Sequence, residues 1–444
     1  MSILDHVGKD QTTIRTIEHA VIQAEGTSQV EEINSKPETW ELNEPPSPTM
    51  RAFTGRKREE LSDVLQRKLT ILETSLEDHM KRQDLTQLKG DEAQQTLDLL
   101  QLLADLPDPT PSPRSHVLKI MSRLSRDSRR FPRCLVIQNI ELRKRPFGCG
   151  AFGDVYRGKV GDAATGQADC AVKVVRRAYF NLNEDERDLD YQNILDNHVR
   201  EAIIWRQLKH SSVLPFLGIY YLDDNREDVC LVSPYMPKGN LAQFLRKTEP
   251  DRVDSPTLIS DIALGLEYLH NEDVVHGDLK DLNILLTEAH RACICDFGLS
   301  RIGATLGLPS STYRGGTIGY MAPEVLRGNL SVKESDVYSV GVLLFMILKK
   351  VYDLPKDVPR GRSDQPRPTN LPEDKDYLWS LIQHCWMEEC SARPTAKDIV
   401  KRVTSMNDIN PAPNWDLSLY SSIRNNINFH PLLASASQLS RHEE

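Results

Sequence analysis

The sequence predicts an α+β fold in two lobes, a β-rich small lobe followed by a helical large lobe, preceded by an N-terminal α-helical region. Three observations predict it. Apolar residues recur at three-to-four spacing between residues 59 and 124, the texture changes at Cys134 to short β-rich runs, and after Asn240 it changes again to long helical segments. Strands first and helices second segregate into separate layers instead of alternating. At 444 residues the chain also exceeds the usual size of one hydrophobic core.

Residues 1–55 are polar and end in Glu44-Pro45-Pro46-Ser47-Pro48, a composition that buries little surface and predicts a flexible terminus. A helical region, 56–130, follows. Over 59–88 the positions Leu61, Val64, Leu65, Leu69, Leu72, Leu76 and Met80 share one helical face, and a second amphipathic segment runs over 91–106. The Pro-rich break from Pro107 to Pro113 precedes a third, with Val117, Leu118, Ile120, Met121 and Leu124. These helices suit an intramolecular bundle, a buttress on the rest of the chain, or a surface for a helical partner or self-association. The sequence leaves the three open.

From 134 to 406 strands are expected over 134–140, 154–158, 170–175 and 229–233, then helices. The apolar run 337–348 is too short to cross a hydrocarbon layer of about 30 Å and reads as a buried helix, so no membrane span is expected. A polar tail occupies 407–444. The formal net charge of -9 lacks the basic footprint that nucleic-acid binding draws on, which excludes DNA and RNA as primary partners. Residues 1–10 show no secretory signal, and the eight cysteines have no C-x-x-C spacing. A reducing, cytoplasmic setting is the expectation.

Gly148-Cys149-Gly150-Ala151-Phe152-Gly153-Asp154-Val155 fits G-x-G-x-x-G-x-V, in which glycines let backbone amides approach phosphates. A dinucleotide fold needs a helix directly after such glycines, whereas Val155-Tyr156-Arg157 reads as a strand. Lys173, in Cys170-Ala171-Val172-Lys173, lies on an apolar strand and needs an anion and a carboxylate to be kept there. Glu201, on a helical apolar face, is the best candidate for that carboxylate. His276-Gly277-Asp278-Leu279-Lys280-Asp281-Leu282-Asn283 and Asp296-Phe297-Gly298 supply one carboxylate to orient a hydroxyl, and an Asn with a second carboxylate to hold Mg²⁺ against phosphates.

Taken in order, these strings resemble the protein kinase superfamily, and within it the tyrosine-kinase-like group of Ser/Thr kinases. Further support comes from Leu208-Lys209-His210, Val213-Leu214-Pro215-Phe216-Leu217-Gly218 and Cys385-Trp386-Met387 before Arg393-Pro394. The stand-alone kinases of mushroom-forming fungi are similar in texture. The resemblance implies the two-lobed protein kinase fold, with ATP and Mg²⁺ as cofactors and proteins bearing Ser or Thr acceptors as substrates. It gives Asp278, Lys280, Lys173 and Glu201 catalytic roles. Gly148, Gly150, Gly153, Val155, Ala171, Lys173, Ser233, Pro234 and Met236 would line the ATP site, and Asn283 and Asp296 would hold the metal.

Lys280 and Thr317 point, on the same resemblance, to Ser/Thr specificity; Glu324 with Arg393 implies a buried ion pair, and Asp336 an anchor for the catalytic loop. His276 is expected to pack under Phe297 without acid-base work. Gly277 departs from the family pattern, which places Arg there to read a phosphate on the activation loop. Control through that residue is therefore not expected, despite the nearby acceptors Ser310, Ser311, Thr312 and Thr317. The alternative to an enzyme is a pseudokinase scaffold that binds partners without catalysis.

Overall fold

The computed structural model describes residues 63–106, 114–137, 140–150, 153–162, 166–175, 198–222, 229–302, 317–352 and 366–405. The expectations for 1–55, for Ser310, Ser311 and Thr312 and for the tail 407–444 lie outside the described residues. The described residues divide into two compact units, one up to Cys134 and the other from Leu135.

The first unit is a helical bundle of α1 (Asp63–Glu77), α2 (His79–Thr86), α3 (Gly90–Asp105) and α4 (Arg114–Ser128). Its amphipathic faces meet one another: Leu69, Leu76, Leu97, Leu100, Met121 and Leu124 are fully buried. The reading of one face across 59–88 is corrected at Asp78. Its carboxylate accepts from the N–H groups of Met80 (2.8 Å) and Lys81 (3.3 Å), an N-cap that ends one helix and starts the next. The new direction leaves Met80 exposed. Asp98, buried in α3, accepts from the Arg133 N–H (2.7 Å) and guanidinium (2.8 Å) and fixes the exit of the chain from the bundle.

The second unit begins with a five-stranded antiparallel sheet in the order β1-β2-β3-β5-β4, built from β1 (Glu141–Gly150), β2 (Gly153–Asp162), β3 (Gly166–Val175), β4 (Gly218–Tyr221) and β5 (Val229–Pro234). The expected strand over 134–140 is corrected. Residues Arg133–Leu135 form a 3₁₀ turn, and Val136 makes only an isolated bridge to Ile219. The apolar character there serves burial instead: Ile137 and Ile140 join Val160, Cys170, Val172, Cys230 and Val232 in the core behind the sheet. Because paired residues of an antiparallel sheet share a face, the register Gly148↔Val155↔Lys173 and Arg157↔Ala171↔Ser233 sets those residues on the face opposite that core. One helix, α5, is described over 198–206.

The helical lobe contains α6 (Leu241–Lys247), α7 (Ser255–Asn271), β6 (Val274–Val275), β7 (Ile284–Leu286), β8 (Ala292–Ile294), β9 (Arg301–Ile302), α8 (Pro323–Leu326), α9 (Lys333–Val351), α10 (Asp376–Cys385) and α11 (Ala396–Thr404). The run 337–348 lies within α9, buried among α7 and α10. Gly341 allows that packing, since a Cβ there would stand 2.7 Å from Cys385 Cβ. Arg393 grips Glu324 with two bonds of 2.8 Å, and Ser335 adds a third to Glu324 at 2.6 Å. These bonds hold the Glu324 carboxyl at about 2, against the opposing effect of burial. Among the described residues no helix is long and apolar enough to cross a membrane.

Candidate active site

Three short elements place the reactive side chains. The β7–β8 hairpin pairs Ile284 with Ile294, and the Cys295 N–H donates to Asn283 O (2.9 Å), so Asn283 lies beside the segment that carries Asp296. Asp336, buried near the start of α9, accepts from the backbone N–H groups of His276 (2.7 Å) and Gly277 (2.9 Å) and so shapes the loop between β6 and β7. His276 is fully buried. Its Nδ1 accepts from the Asp278 N–H (3.2 Å), so the proton belongs to Nε2, which faces Cys295 O at 3.0 Å. With both ring nitrogens committed, His276 is a structural pin.

Asp278 projects from this loop into a group of donors. Its Oδ2 receives Lys280 Nζ and the Asn283 amide (3.2 Å), and its Oδ1 receives the Thr317 N–H (3.2 Å). Asn283 also donates to Asp278 O at 2.8 Å. Both bonds use the amide nitrogen of Asn283, leaving its oxygen as the atom suited to a hard cation. Beside Asp278 a small cavity is lined by Thr317, Tyr320, Met321, Val325 and Ser331.

Above this loop Lys173 Nζ lies 3.0 and 3.1 Å from the two oxygens of Glu201 and 2.7 Å from Asp296 Oδ1. The ammonium thus ties β3, α5 and the Asp296 loop together. Burial by itself lowers the Lys173 pKa, but Asp296 and Glu201 outweigh it and leave the amine firmly charged. Burial pushes Glu201 up to about 7, with Lys173 offsetting only part of the effect. Burial acts on Asp296 in the same sense, yet its contact with Lys173 prevails and holds it at about 2. Asp296 reaches the ammonium from a left-handed backbone, φ 68°, a conformation Asp tolerates better than most residues.

On the small-lobe face, Gly148 lies opposite Val155, Gly150 opposite Gly153, and Ala171 opposite Ser233. Ser233 and Met236 are buried at the end of β5 with Pro234 between the lobes, and among the described residues the Met236 N–H has no acceptor. Hydrogen bonds therefore join Lys173, Glu201 and Asp296 in one group and Asp278, Lys280 and Asn283 in a second, and sheet register puts Gly148, Val155, Ala171 and Ser233 on the face that carries Lys173. An ionised carboxylate on Asp296 and the Asn283 oxygen are hard donors of the kind Mg²⁺ takes, one or two from protein with phosphate supplying more. In keeping with so sparse a donor set, no cluster of three His, Cys, Asp or Glu side chains that could hold a metal occurs among the described residues.

Residues 142–403 match the family described as protein tyrosine and serine/threonine kinase. The chain belongs to that family. Its kinase domain is 31% identical over 268 residues to the serine/threonine-protein kinase CTR1 of Arabidopsis thaliana, covering 58% of this chain and 30% of that protein. It is 33% identical over 264 residues to the probable serine/threonine-protein kinase drkC of Dictyostelium discoideum, covering 57% and 34%. Against the dual specificity protein kinase zakA of the same organism it is 29% identical over 305 residues, covering 62% and 36%. The chain thus spans about a third of the length of these relatives. They bear on the kinase domain and its Ser/Thr group, not on the resemblance to fungal kinases.

Two features of the kinase domain escaped the sequence reading. A row of rings, Phe216–Trp205–Phe297–His276 with centroids 5.1, 5.8 and 5.3 Å apart, links α5 to the catalytic loop. Asp261, fully buried in α7, takes two bonds from Arg291 (2.8 and 2.6 Å) and one from the Ala292 N–H (2.9 Å), fixing β8. An Asp amid the apolar stretch Leu258-Ile259-Ser260-Asp261-Ile262-Ala263 was the available signal for the second.

Proposed function

We propose that the chain is an active Ser/Thr protein kinase that transfers the γ-phosphoryl group of ATP to Ser or Thr hydroxyls of other proteins, in intracellular signalling. The observation that carries this reading is the three-way contact of Lys173 with Glu201 and Asp296, beside an Asp278 already held by Lys280 and Asn283. The family's relatives named as serine/threonine kinases support the acceptor class.

In this reading the glycine-bearing β1–β2 hairpin approaches the phosphates, and the backbone of Pro234 and Met236 reads the base. Lys173, oriented by Glu201, binds the α and β phosphates. Asp278 accepts the hydrogen bond of the incoming hydroxyl, positions its oxygen in line with the γ-phosphorus and takes its proton as the new P–O bond forms, while the bond from the γ-phosphorus to the bridging β–γ oxygen breaks and ADP leaves with that oxygen. Lys280 places a positive charge beside the transferred group. Asn283 and Asp296 would hold Mg²⁺, which when bound would neutralise phosphate charge. The small cavity next to Asp278 and Thr317 is where the acceptor segment enters.

The domain plan that accompanies this reading is a polar terminus (1–55), a helical region (56–130), the kinase domain (134–406) and a tail (407–444). Seven described cysteines are free thiols, five of them buried, which supports a reducing, cytoplasmic setting. The apolar faces of α1, α3 and α4 are spent on one another, which favours a self-contained bundle over an open docking face. Light scattering of the full chain against one starting near Arg130 tests self-association through that region.

The scaffold alternative is disfavoured because Lys173, Glu201, Asp278, Asn283 and Asp296 are all present and assembled. Transfer of radiolabelled γ-phosphate to a generic protein substrate, compared with Asp278→Asn, tests the enzyme. Labelling by the wild type that the variant loses supports it; equal background from both leaves the scaffold.

A further inference from the structure

The solvent side of α4 carries charge of one sign. Residues 114–133 contain seven Lys or Arg against one Asp, in a chain whose formal net charge is -9. Val117, Ile120, Met121 and Leu124 are buried in the bundle. At about 100° per residue, Lys119, Arg123 and Arg126 fall within about 60° of one another on the side opposite that apolar face, in a row about 10 Å long. Arg129 follows at the helix end, where its backbone is left-handed at φ 53°. Arg123, Arg126 and Arg129 are exposed and Lys119 is half-buried.

The ordinary uses of surface charge do not account for this row. Arg126 pairs with the adjacent Asp127, Nε to Oδ1 at 2.6 Å, and Arg130 approaches Asp91 of α3 at 3.5 Å. Among the described residues no carboxylate pairs with Lys119, Arg123 or Arg129. The helix dipole favours cations in the last turn, where Arg126 lies, but Lys119 and Arg123 come before it. Standing four residues apart, these two repel each other. Beside them burial lowers the His116 pKa, and Arg82 of α2 and Lys119 lower it further, with no carboxylate among the described residues to counter them. The helix thus keeps a positive face that its own folding does not need.

The make-up of the row selects its partner. A protein interface is centred on apolar side chains, and the row has none. A nucleic-acid groove would enclose the flanks of the helix and bring phosphates against Asp127 and Asp91. A flat anionic surface meets only the crest. We propose that Lys119, Arg123, Arg126 and Arg129 form a docking surface for an anionic phospholipid bilayer. Headgroup phosphates and carboxylates accept hydrogen bonds from the ammonium and guanidinium groups. The apolar side chains of α4 stay inside the bundle, so nothing inserts and the attachment is electrostatic, reversible and salt-dependent. The surface lies wholly within the helical bundle, so it stands independently of the ATP site.

The test is co-sedimentation of the full chain with vesicles of phosphatidylcholine alone or mixed with phosphatidylserine, at low and at high salt. The chain should bind the mixed vesicles and not the neutral ones, and salt should release it. Each basic residue near such a surface contributes about fivefold to partitioning, so Lys119→Gln with Arg123→Gln should weaken binding about thirtyfold. The Tm of that variant should hold or rise, because two like charges four residues apart are gone. Arg123→Lys keeps the charge and should keep binding. Arg67→Gln with Lys68→Gln removes the same charge from exposed positions of α1 and should bind as the wild type does. Equal binding to both kinds of vesicle, unchanged binding by the α4 double variant, or an equal loss in the α1 double variant overturns the proposal. Tighter binding to duplex DNA or to polyglutamate than to the mixed vesicles overturns the choice of a lipid partner.

Discussion

Gly277 stands at φ 79° and donates its N–H to Asp336 Oδ1 at 2.9 Å. The buried carboxylate thereby holds the residue before Asp278 in a left-handed conformation that glycine adopts without strain. A side chain there meets two difficulties: the backbone region itself, and Leu299 O, which lies 3.1 Å from an ideal Cβ. Gly277→Arg should lower stability by about 1–2 kcal/mol, read as a fall in Tm of about 2–8 °C. An unchanged Tm would show that the loop relaxes around the new residue.

The same residue separates chemistry from control. No guanidinium is available at position 277 to recognise a phosphate, while Asp278, Lys280 and Asn283 keep their mutual bonds without one. Phosphatase-treated protein should therefore retain most of its activity. Loss of most activity, restored by rephosphorylation, would count against this.

The bidentate pair Arg393–Glu324 is buried, with the Arg393 side chain fully so. Arg393→Met leaves the Glu324 carboxylate uncompensated, at about 3–5 kcal/mol, and Tm should fall by about 6–20 °C. The pair also has a pH signature. The Glu324 carboxyl drops from its ordinary 4.5 to about 2 on folding, so its contribution is present above 4.5 and is lost as pH falls toward 2. Acid unfolding of Arg393→Met should lack that component.

The sequence made the site more legible than the fold around it. Lys173, Glu201, Asp278, Asn283 and Asp296 are readable because phosphate and metal chemistry admits few residue types, and their order limits the ways they can assemble. Residues 134–140 misled for the opposite reason. Their apolar side chains report burial, and burial under a sheet and membership of a sheet give the same short pattern. Asp78 was overlooked because the apolar spacing runs on past it, although Asp is a preferred cap.

The Lys173–Glu201 contact predicts a pH-dependent rate. Glu201 in the folded protein titrates at about 7, above its ordinary 4.5, so the folded state takes up this proton first and the group's effect on stability declines as pH rises from 4.5 to about 7. Asp296 runs the other way, contributing above 3.8 and losing its effect as pH falls toward 2. In the proposed kinase the charged form of Glu201 orients Lys173, so activity should rise through about pH 7. Glu201→Gln should be slow at all pH values and lack that inflection. An inflection that survives in the variant assigns it to another group.

In the proposed nucleotide site Ser233 is the residue assigned to limit the depth behind the base. It is buried in β5 opposite Ala171, and both side chains are small. Among the described residues its hydroxyl reaches only its neighbour Pro234 O, at 3.4 Å. ATP-competitive compounds with a bulky aromatic extension at the base should bind the wild type. Ser233→Phe adds an aromatic ring that occupies the same space, and displacing it would overpack the site. That variant should bind the extended compound at least about tenfold more weakly, with KM for ATP changed little. Equal affinity for wild type and variant would place the extension outside the pocket and remove the depth assigned to Ser233.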